Sequence, residues 1–240
     1  MSSLLSGAEF LGYNWQWVRI PRYLYTSGPD GFSAGPLLQG LGLTLQISSV
    51  SLLFSLLIGL LIALLRLSHS SVARWIAVIY LELIRNTPLL IQIFLIYFVV
   101  APILDIDRFA SAVLALSLFE GAYASEIIRA GILAIPKGQW EAAASLGMGR
   151  GQSYRYIVLP QALRQMAPPL TSQGVSLIKD SALVSTIAIY DLTMQGQQIV
   201  AETFLTFEVW FTVAAIYLVL TLGLSLLVRL LEWRLTGYQL

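Results

Sequence analysis

The chain offers thirteen carboxylates, fourteen lysines and arginines, one histidine and no cysteine for chemistry. Without cysteine there is no disulfide and no thiolate metal site. His69 stands alone in a short Ser-flanked turn, a solvated loop position, so neither a Ser/His/Asp relay nor a metal cluster forms around it. Neither Lys137 nor Lys179 closes a G-x-x-x-x-G-K-[ST] run, so the chain has no phosphate cradle of that kind. No pair of carboxylates lies in an evident catalytic cleft. What remains are three polar groups inside otherwise apolar stretches. They are Glu82, Arg85 and Gln92; Glu120, Glu126 and Arg129; and Gln173, Ser176, Lys179 and Asp180. Charges in such surroundings are costly and mark function or a buried pair.

The elements that position them must be membrane helices. Of 240 residues, 57% are hydrophobic and 11% charged, and mean hydropathy is +0.77, far from soluble-protein usage. Several runs reach the roughly 20 residues that cross a hydrocarbon core. Residues 1–36 read as an interfacial extension, in which Trp15, Trp17, Tyr23 and Tyr25 surround Arg19, Pro21 and Arg22. Its end, from Ser27 to Pro36, reads as a flexible lead-in. The start does not have the pattern of a cleaved signal. Residues 37–240 then read as one transmembrane domain of five spans, at 37–65, 75–100, 109–134, 167–190 and 209–231. The expected class is an all-α integral membrane protein.

Within the spans the spacing sets expectations. Thr44, Ser48, Ser51 and Ser55 make one small stripe on the first, suited to close helix packing; Gln39 and Gln46 are its larger polar side chains. The second reads as one kinked helix, not a re-entrant pair. Pro88 removes the backbone bond to residue 84 and leaves a carbonyl for a ligand or a partner helix. Glu82 and Arg85, three apart, suit either an internal pair or ligand contact. Glu126 and Arg129 suit a structural pair. Gln173, Ser176 and Asp180 share one helix face, with Lys179 about a quarter-turn away.

The longest polar interruption, residues 134–164, holds Lys137, Arg150, Arg155 and Arg164. Gln139 to Leu146 reads as one short helix, with Glu141 in its first turn and an alanine run behind it. Gly147 suits a left-handed cap, and Pro136 and Pro160 mark bends. With five spans, Arg66, Arg74, Lys137, Arg150, Arg155, Arg164, Arg229 and Arg234 fall on one side. Arg19, Arg22 and Arg108 fall on the other, among Asp105, Asp107, Asp191, Glu202 and Glu208. The positive-inside rule makes the basic side cytoplasmic, with the N-terminus outside and the C-terminus in the cytoplasm.

At these residues the sequence resembles a known family. Glu141-Ala142-Ala143, Gly147, Ile157 and Leu159-Pro160 look like the EAA loop of bacterial ABC-transporter permeases. Leu81-Glu82-Leu83, Arg85-Asn86-Thr87-Pro88-Leu89-Leu90 and Gln92 resemble a second block of the polar amino-acid permeases. The run from Gly121-Ala122-Tyr123 through Glu126-Ile127-Ile128-Arg129 to Gly131 is similar to the stretch leading into their coupling loop. The resemblance implies a type I ABC importer-like fold in the bacterial inner membrane. It also implies a cytoplasmic coupling helix at Gln139, Glu141, Ala142, Ala143, Gly147, Leu159 and Pro160, docked on an ATPase.

On that footing the chain is expected to be the permease subunit of an importer of polar amino acids. Its expected partners are ABC ATPase subunits, a second permease subunit (the same chain or a paralogue), an extracytoplasmic amino-acid-binding protein, the substrate amino acid and the lipid bilayer. No nucleic acid, metal or bound cofactor is expected; ATP would be used by the partner ATPase. A zwitterion needs an acidic or dipolar feature and a basic one close together, so the expected pathway residues are Gln173, Asp180, Glu82, Arg85 and Gln92. A neutral Gln173 leans toward glutamine or glutamate over arginine. The alternative is an ion-coupled secondary transporter with Asp180, Glu120 or Lys179 as relay groups, though no inverted repeat is visible.

Overall fold

The computed structural model describes residues 13–28 and 31–236. The apolar runs are helical because in hydrocarbon each backbone N–H and C=O must find its partner within its own segment. One turn, α1 (Pro21–Leu24), leads into an antiparallel ribbon of β1 (Tyr25–Gly28) and β2 (Gly31–Ala34). Tyr25 pairs with Ala34 and Thr26 with Ser33, so this part of the expected flexible lead-in is a hairpin. The Tyr13 hydroxyl donates to Glu208, and the Gln16 amide donates to the same carboxylate at 2.6 Å. Glu208 is fully buried and straps the N-terminal segment to the last helix. Residues 1–12 of the expected interfacial extension lie outside the described residues.

Helix α2 (Pro36–Leu67) opens with proline at its first position, where the missing N–H costs nothing. There follow α3 (Ser71–Arg85), then α4 (Leu89–Phe94), which continues through a π-turn at Leu95–Val100 into α5 (Ala101–Leu104). Helix α6 (Arg108–Leu133) is capped by Asp107, whose Oδ1 accepts from the Ala110 amide at 2.7 Å. The short α7 (Lys137–Ser145) and α8 (Arg150–Ser153) follow. A π-turn at Tyr154–Val158 precedes α9 (Leu159–Asp180), which tightens into a 3-10 helix at Ser181–Ile187. Last come α10 (Leu192–Thr203) and α11 (Thr206–Thr236).

The core is the pair α2 and α6, which run parallel in close contact. A Cβ on Gly59 would lie 2.8 Å from that of Ala124, and one on Gly121 would lie 2.8 Å from Ile58 Cγ2. Ser117 donates to the Ser51 carbonyl at 3.3 Å. Thr44, Ser48, Ser51 and Ser55 are all buried, so the small stripe is a packing seam. Gln39 and Gln46 are exposed, and Gln39 donates to the Ala34 carbonyl at 2.7 Å. Near the other end Glu126 accepts from Arg129 at 2.9 Å and is also bonded to Arg66, so the expected pair becomes a clamp between α6 and α2.

Three helices among the described residues are long and apolar enough to cross a membrane: Pro36–Leu67, Arg108–Leu133 and Thr206–Leu230. A fourth is reached if α3 and the Leu89–Leu104 stretch count as one broken span. The expected single kinked helix is corrected here, because those two segments meet at 105°. Asn86 closes α3 and Pro88 opens α4, and the residue before a proline is pushed out of helical geometry. Helix α9 is not among the apolar spans, since Arg164, Gln165, Gln173, Lys179 and Asp180 lower its hydropathy. It also starts earlier than expected and carries Pro168 and Pro169 within it. The stretch between the expected spans at 167–190 and 209–231 contains α10, capped by Asp191 on the Met194 amide at 2.9 Å.

Candidate functional site

The residues expected to do work fall into three places. The first is the knob around α7, which spans two residues more at its start than the expected 139–146 and one fewer at its end. Its exit is a complete Schellman cap. Gly147 sits at φ +74, its amide donates to Ala144 O at 2.9 Å, and the Met148 amide donates to Ala143 O at 3.1 Å. The left-handed glycine read from the sequence is thus observed. The inner face is anchored. Ala143 is buried, Trp140 meets the Tyr154 ring edge-on at 5.0 Å, and Gln161 donates to Gln139 Oε1 at 3.3 Å. Trp140 packs on a cluster of Ile132, Ile135, Val158, Ala162 and Met166, which ties the knob to α6 and α9.

The outer face of α7 is bare. Glu141, Ala142, Ala144 and Ser145 are exposed, and Leu146 keeps 77% of its surface in the open. Lys137, Arg150, Arg155 and Arg164, on the same polar stretch of the chain, are all exposed. Leu159 and Pro160 begin α9 on the same knob, directly after the π-turn. A proline cannot donate to a preceding carbonyl, and the wider π-turn relieves that mismatch without ending the helix.

The second place lies between α6 and α9. Gln173 donates to Glu120, and the Asp180 carboxyl is close enough to Glu120 to interact with it directly. Glu120 is 1% exposed, while Gln173 and Asp180 are half-buried. Ser176 parts from them and lines a polar cleft of about 330 Å³ with Ser172, Lys179 and Arg229. No ion pair joins Asp180 to Lys179 among the described residues. Beside this group an apolar cavity of about 510 Å³ opens between α2, α9 and α11, bounded by Ser48, Leu52, Thr171 and Gly174 among others. Glu120 belongs to the cluster but was not among the expected pathway residues. Its signal was its cost at mid-span; its partners 53 and 60 positions away were not readable from spacing.

The third place is the break between α3 and α4. Gln92 donates to Ile84 O at 2.7 Å and to Thr87 O at 2.9 Å. The carbonyl expected to stand free for a ligand is therefore taken by the chain's own amide. Glu82 accepts from Asn86 Nδ2 at 2.8 Å, and the Arg85 guanidinium lies over the Tyr123 ring at 5.8 Å. Glu82 and Arg85 do not pair. No hydrogen bond or ion pair among the described residues joins Glu82, Arg85 or Gln92 to Gln173 or Asp180.

Comparison with known proteins gives these places a context. Residues 55–237 match the family described as binding-protein-dependent transport system inner membrane component. The glutamine transport system permease protein GlnP of Escherichia coli (strain K12) is 42% identical over 201 residues, covering 82% of this chain and 92% of that protein. The L-cystine transport system permease protein TcyB of Bacillus subtilis (strain 168) is 41% identical over 206 residues, covering 85% and 88%. A crystal structure of an amino acid ABC transporter with histidines shares 37% identity and a TM-score of 0.83, over 92% of this chain and all of that one. The MetNI methionine ABC transporter, at 21% identity and a TM-score of 0.73 over 84% of this chain and 96% of that one, shares the fold. The chain belongs to the family of binding-protein-dependent transport system inner membrane components, as an ABC-importer permease of the polar amino-acid group.

Proposed function

We propose that this chain forms half of the pathway of an ATP-driven importer of polar amino acids and couples to its ATPase through α7. The observation that carries the reading is the shape of that knob. One face is locked to α6 and α9 through Trp140 and Ala143, and the other presents Glu141, Ala142 and Leu146 to solvent. A lever needs both a rigid attachment and a free bearing surface. The chain has no nucleotide cradle of the P-loop kind, so the work must arrive from outside. Two ATPase subunits would bear on the α7 helices of two permease chains, either two copies or a copy and a paralogue. ATP-driven closure would favour the outward-open arrangement and hydrolysis would release it. An extracytoplasmic binding protein would deliver substrate to the opposite face. On the reading of five spans, the positive-inside distribution supports an N-terminus outside and a knob in the cytoplasm.

For the cargo, we assign the Glu120, Gln173 and Asp180 cluster to the substrate's α-ammonium group. Two carboxyls beside one amide provide the acidic and dipolar feature a zwitterion requires. With those carboxyls spent on the α-ammonium, a neutral side chain such as that of glutamine suits the remainder better than the cation of arginine. Glutamine is also what a relative 42% identical is named for. The test is uptake into proteoliposomes containing this chain with its ATPase and binding protein. Glutamine accumulation that needs ATP supports the reading. Accumulation driven by an ion gradient without ATP would replace it with secondary transport.

A further inference from the structure

We propose that the 3-10 segment Ser181–Ile187 is a spring that Arg108 latches in its long form, and that its relaxation to α-helix carries Asp180 out of the cargo cluster. Length is the first observation. A 3-10 helix has poorer hydrogen-bond geometry than an α-helix, and runs beyond three or four residues are uncommon. This one has seven. It continues α9 without a break, since Asp180 is helical at φ −69 and ψ −27, and no proline or glycine forces the change. Three hydroxyls support it. Ser181, Ser185 and Thr186 donate to the carbonyls three residues back, those of Ile178, Ala182 and Leu183, at 2.8, 2.7 and 2.6 Å. Val184 and Ile187 are buried in one core cluster with Leu89, Ile93 and Leu116.

The second observation is how the segment ends. Ala188 sits in the left-handed region at φ +56, where an L-residue is strained. Its amide donates to Ser185 O at 3.0 Å, and its carbonyl accepts from Arg108 Nη1 at 3.3 Å. Arg108 is itself aimed, because its Nε donates to the Tyr97 hydroxyl at 3.0 Å. It makes no ion pair among the described residues, although Asp105 and Asp107 precede it in the chain. An exposed guanidinium is thus spent on a carbonyl 80 residues away. Arg108 is a positioning residue, acting on the cargo cluster through Ala188.

The two ends of the segment join two working places. Asp180 opens it and meets Glu120 on α6. Ala188 closes it shortly before Asp191 caps α10, on the side where a binding protein would deliver substrate. An α-helix rises about 1.5 Å and turns about 100° per residue, a 3-10 helix about 2.0 Å and 120°. Each residue converted therefore draws α9 about 0.5 Å toward Ala188 and turns it about 20°, and all seven would shorten the segment by about 3.5 Å. Two or three suffice to swing Asp180 by about 40–60° about the helix axis, off its neighbour on α6. Relaxation also frees Ala188 from its strain, since continued α-helix places it near φ −63, where alanine is the best residue. The long form holds the cargo's α-ammonium and the short form lets it go. The inference rests on the assignment of that cluster to the cargo, and it deepens that reading by naming what releases the substrate.

The chain has no cysteine, so two introduced thiols are the only sites it offers to a spin label. Leu163→Cys on α9 and Tyr190→Cys beyond the segment are both at exposed positions and bracket it. With that pair in one permease chain of the full transporter in nanodiscs, the distance distribution should hold a long and a short population, about 2–4 Å apart. Arg108→Gln removes the latch and should enlarge the short population about fivefold, the worth of one hydrogen bond. Ala188→Gly relieves the strain of the long form and should shrink the short population at least about fivefold. Glutamine binding to the same samples should weaken in Arg108→Gln and not in Ala188→Gly. Damage to the fold alone would move both variants the same way, and that result overturns the proposal. So does one distance that neither variant nor nucleotide changes. Should Arg108→Gln fail to assemble, Tyr97→Phe removes only the hydroxyl that aims Arg108 and must still enlarge the short population, and an unchanged distribution counts against the latch. Distances that respond in a transporter that binds no glutamine would sink the cargo assignment and leave the spring standing. Glutamine binding with fixed distances does the reverse.

Discussion

Replacing Gly147 by valine should uncouple the transporter, and the size of the effect follows from the cap. Gly147 holds φ +74, and an added Cβ there would meet nothing within 4 Å. A substitution therefore costs no contact, and its whole penalty lies in the backbone. An L-residue in the left-handed region costs about 1–2 kcal/mol, and a β-branched one reaches at least the upper end. If the chain abandons that conformation instead, it loses the Met148 to Ala143 and Gly147 to Ala144 bonds, at about 1 kcal/mol each. Either route costs valine about 2 kcal/mol, which lowers the population of the intact cap about 10- to 30-fold. Alanine should lose less, and asparagine, which tolerates this region, should stay close to glycine. The assay is substrate moved per ATP hydrolysed in proteoliposomes, with ATPase co-purification measured alongside. The expected order of damage is asparagine, alanine, valine, from least to most. If asparagine is as harmful as valine, the glycine serves close approach of a docking partner and the cap argument is wrong. A fully coupled valine variant refutes it as well.

Three further outcomes follow. Gln92→Leu keeps the bulk but strips the donors from Ile84 O and Thr87 O. It should destabilise the break between α3 and α4 by about 2–4 kcal/mol, read as earlier thermal unfolding in detergent, and a wild-type melting curve contradicts the account. Burial raises the Asp191 carboxyl from 3.8 to about 6, even though the Met194 and Thr193 amides oppose the shift. An acid whose folded value is raised resists ionisation in the fold, so stability is greatest below pH 4 and declines as pH climbs through 6, by on the order of 3 kcal/mol. Asp191→Asn should flatten that dependence, and an unchanged pH profile of the melting temperature argues against it. Glu126→Gln leaves Arg66 and Arg129 facing each other where all three side chains are about a quarter exposed. A loss of about 1–2 kcal/mol is expected after discounting for solvent screening, and high salt should narrow it.

What could be read from the sequence was what is local. The apolar runs, the serine stripe and the pair at Glu126 and Arg129 all depend on neighbours within a helical turn or on composition. Gly147 was legible for the same reason, since a cap is decided by the residues beside it. The break at Arg85 to Pro88 was seen, but its angle was underestimated. Pro88 signals an interruption, and only Gln92 reaching back eight residues fixes how the two halves meet. The helix expected from position 167 starts at Leu159, because two adjacent prolines read as a start, whereas α9 runs straight through both. Glu120 was noticed for its cost alone. Its meeting with Gln173 and Asp180 depends on how α6 packs on α9, which no local pattern encodes. The N-terminal hairpin was lost in a Gly- and Pro-rich stretch whose composition suits a flexible segment equally well.

The central claim is that work enters through α7, and Leu146 is where to test it, being 77% exposed on the bare face of the knob. A photo-reactive side chain at position 146 in the assembled transporter should give a covalent adduct with the ATPase subunit. The yield should change between nucleotide-free and ATP-bound states, and the trapped complex should no longer transport. Labelling of this position by an impermeant reagent from outside the cell, or an adduct with every neighbour except the ATPase, would contradict the account.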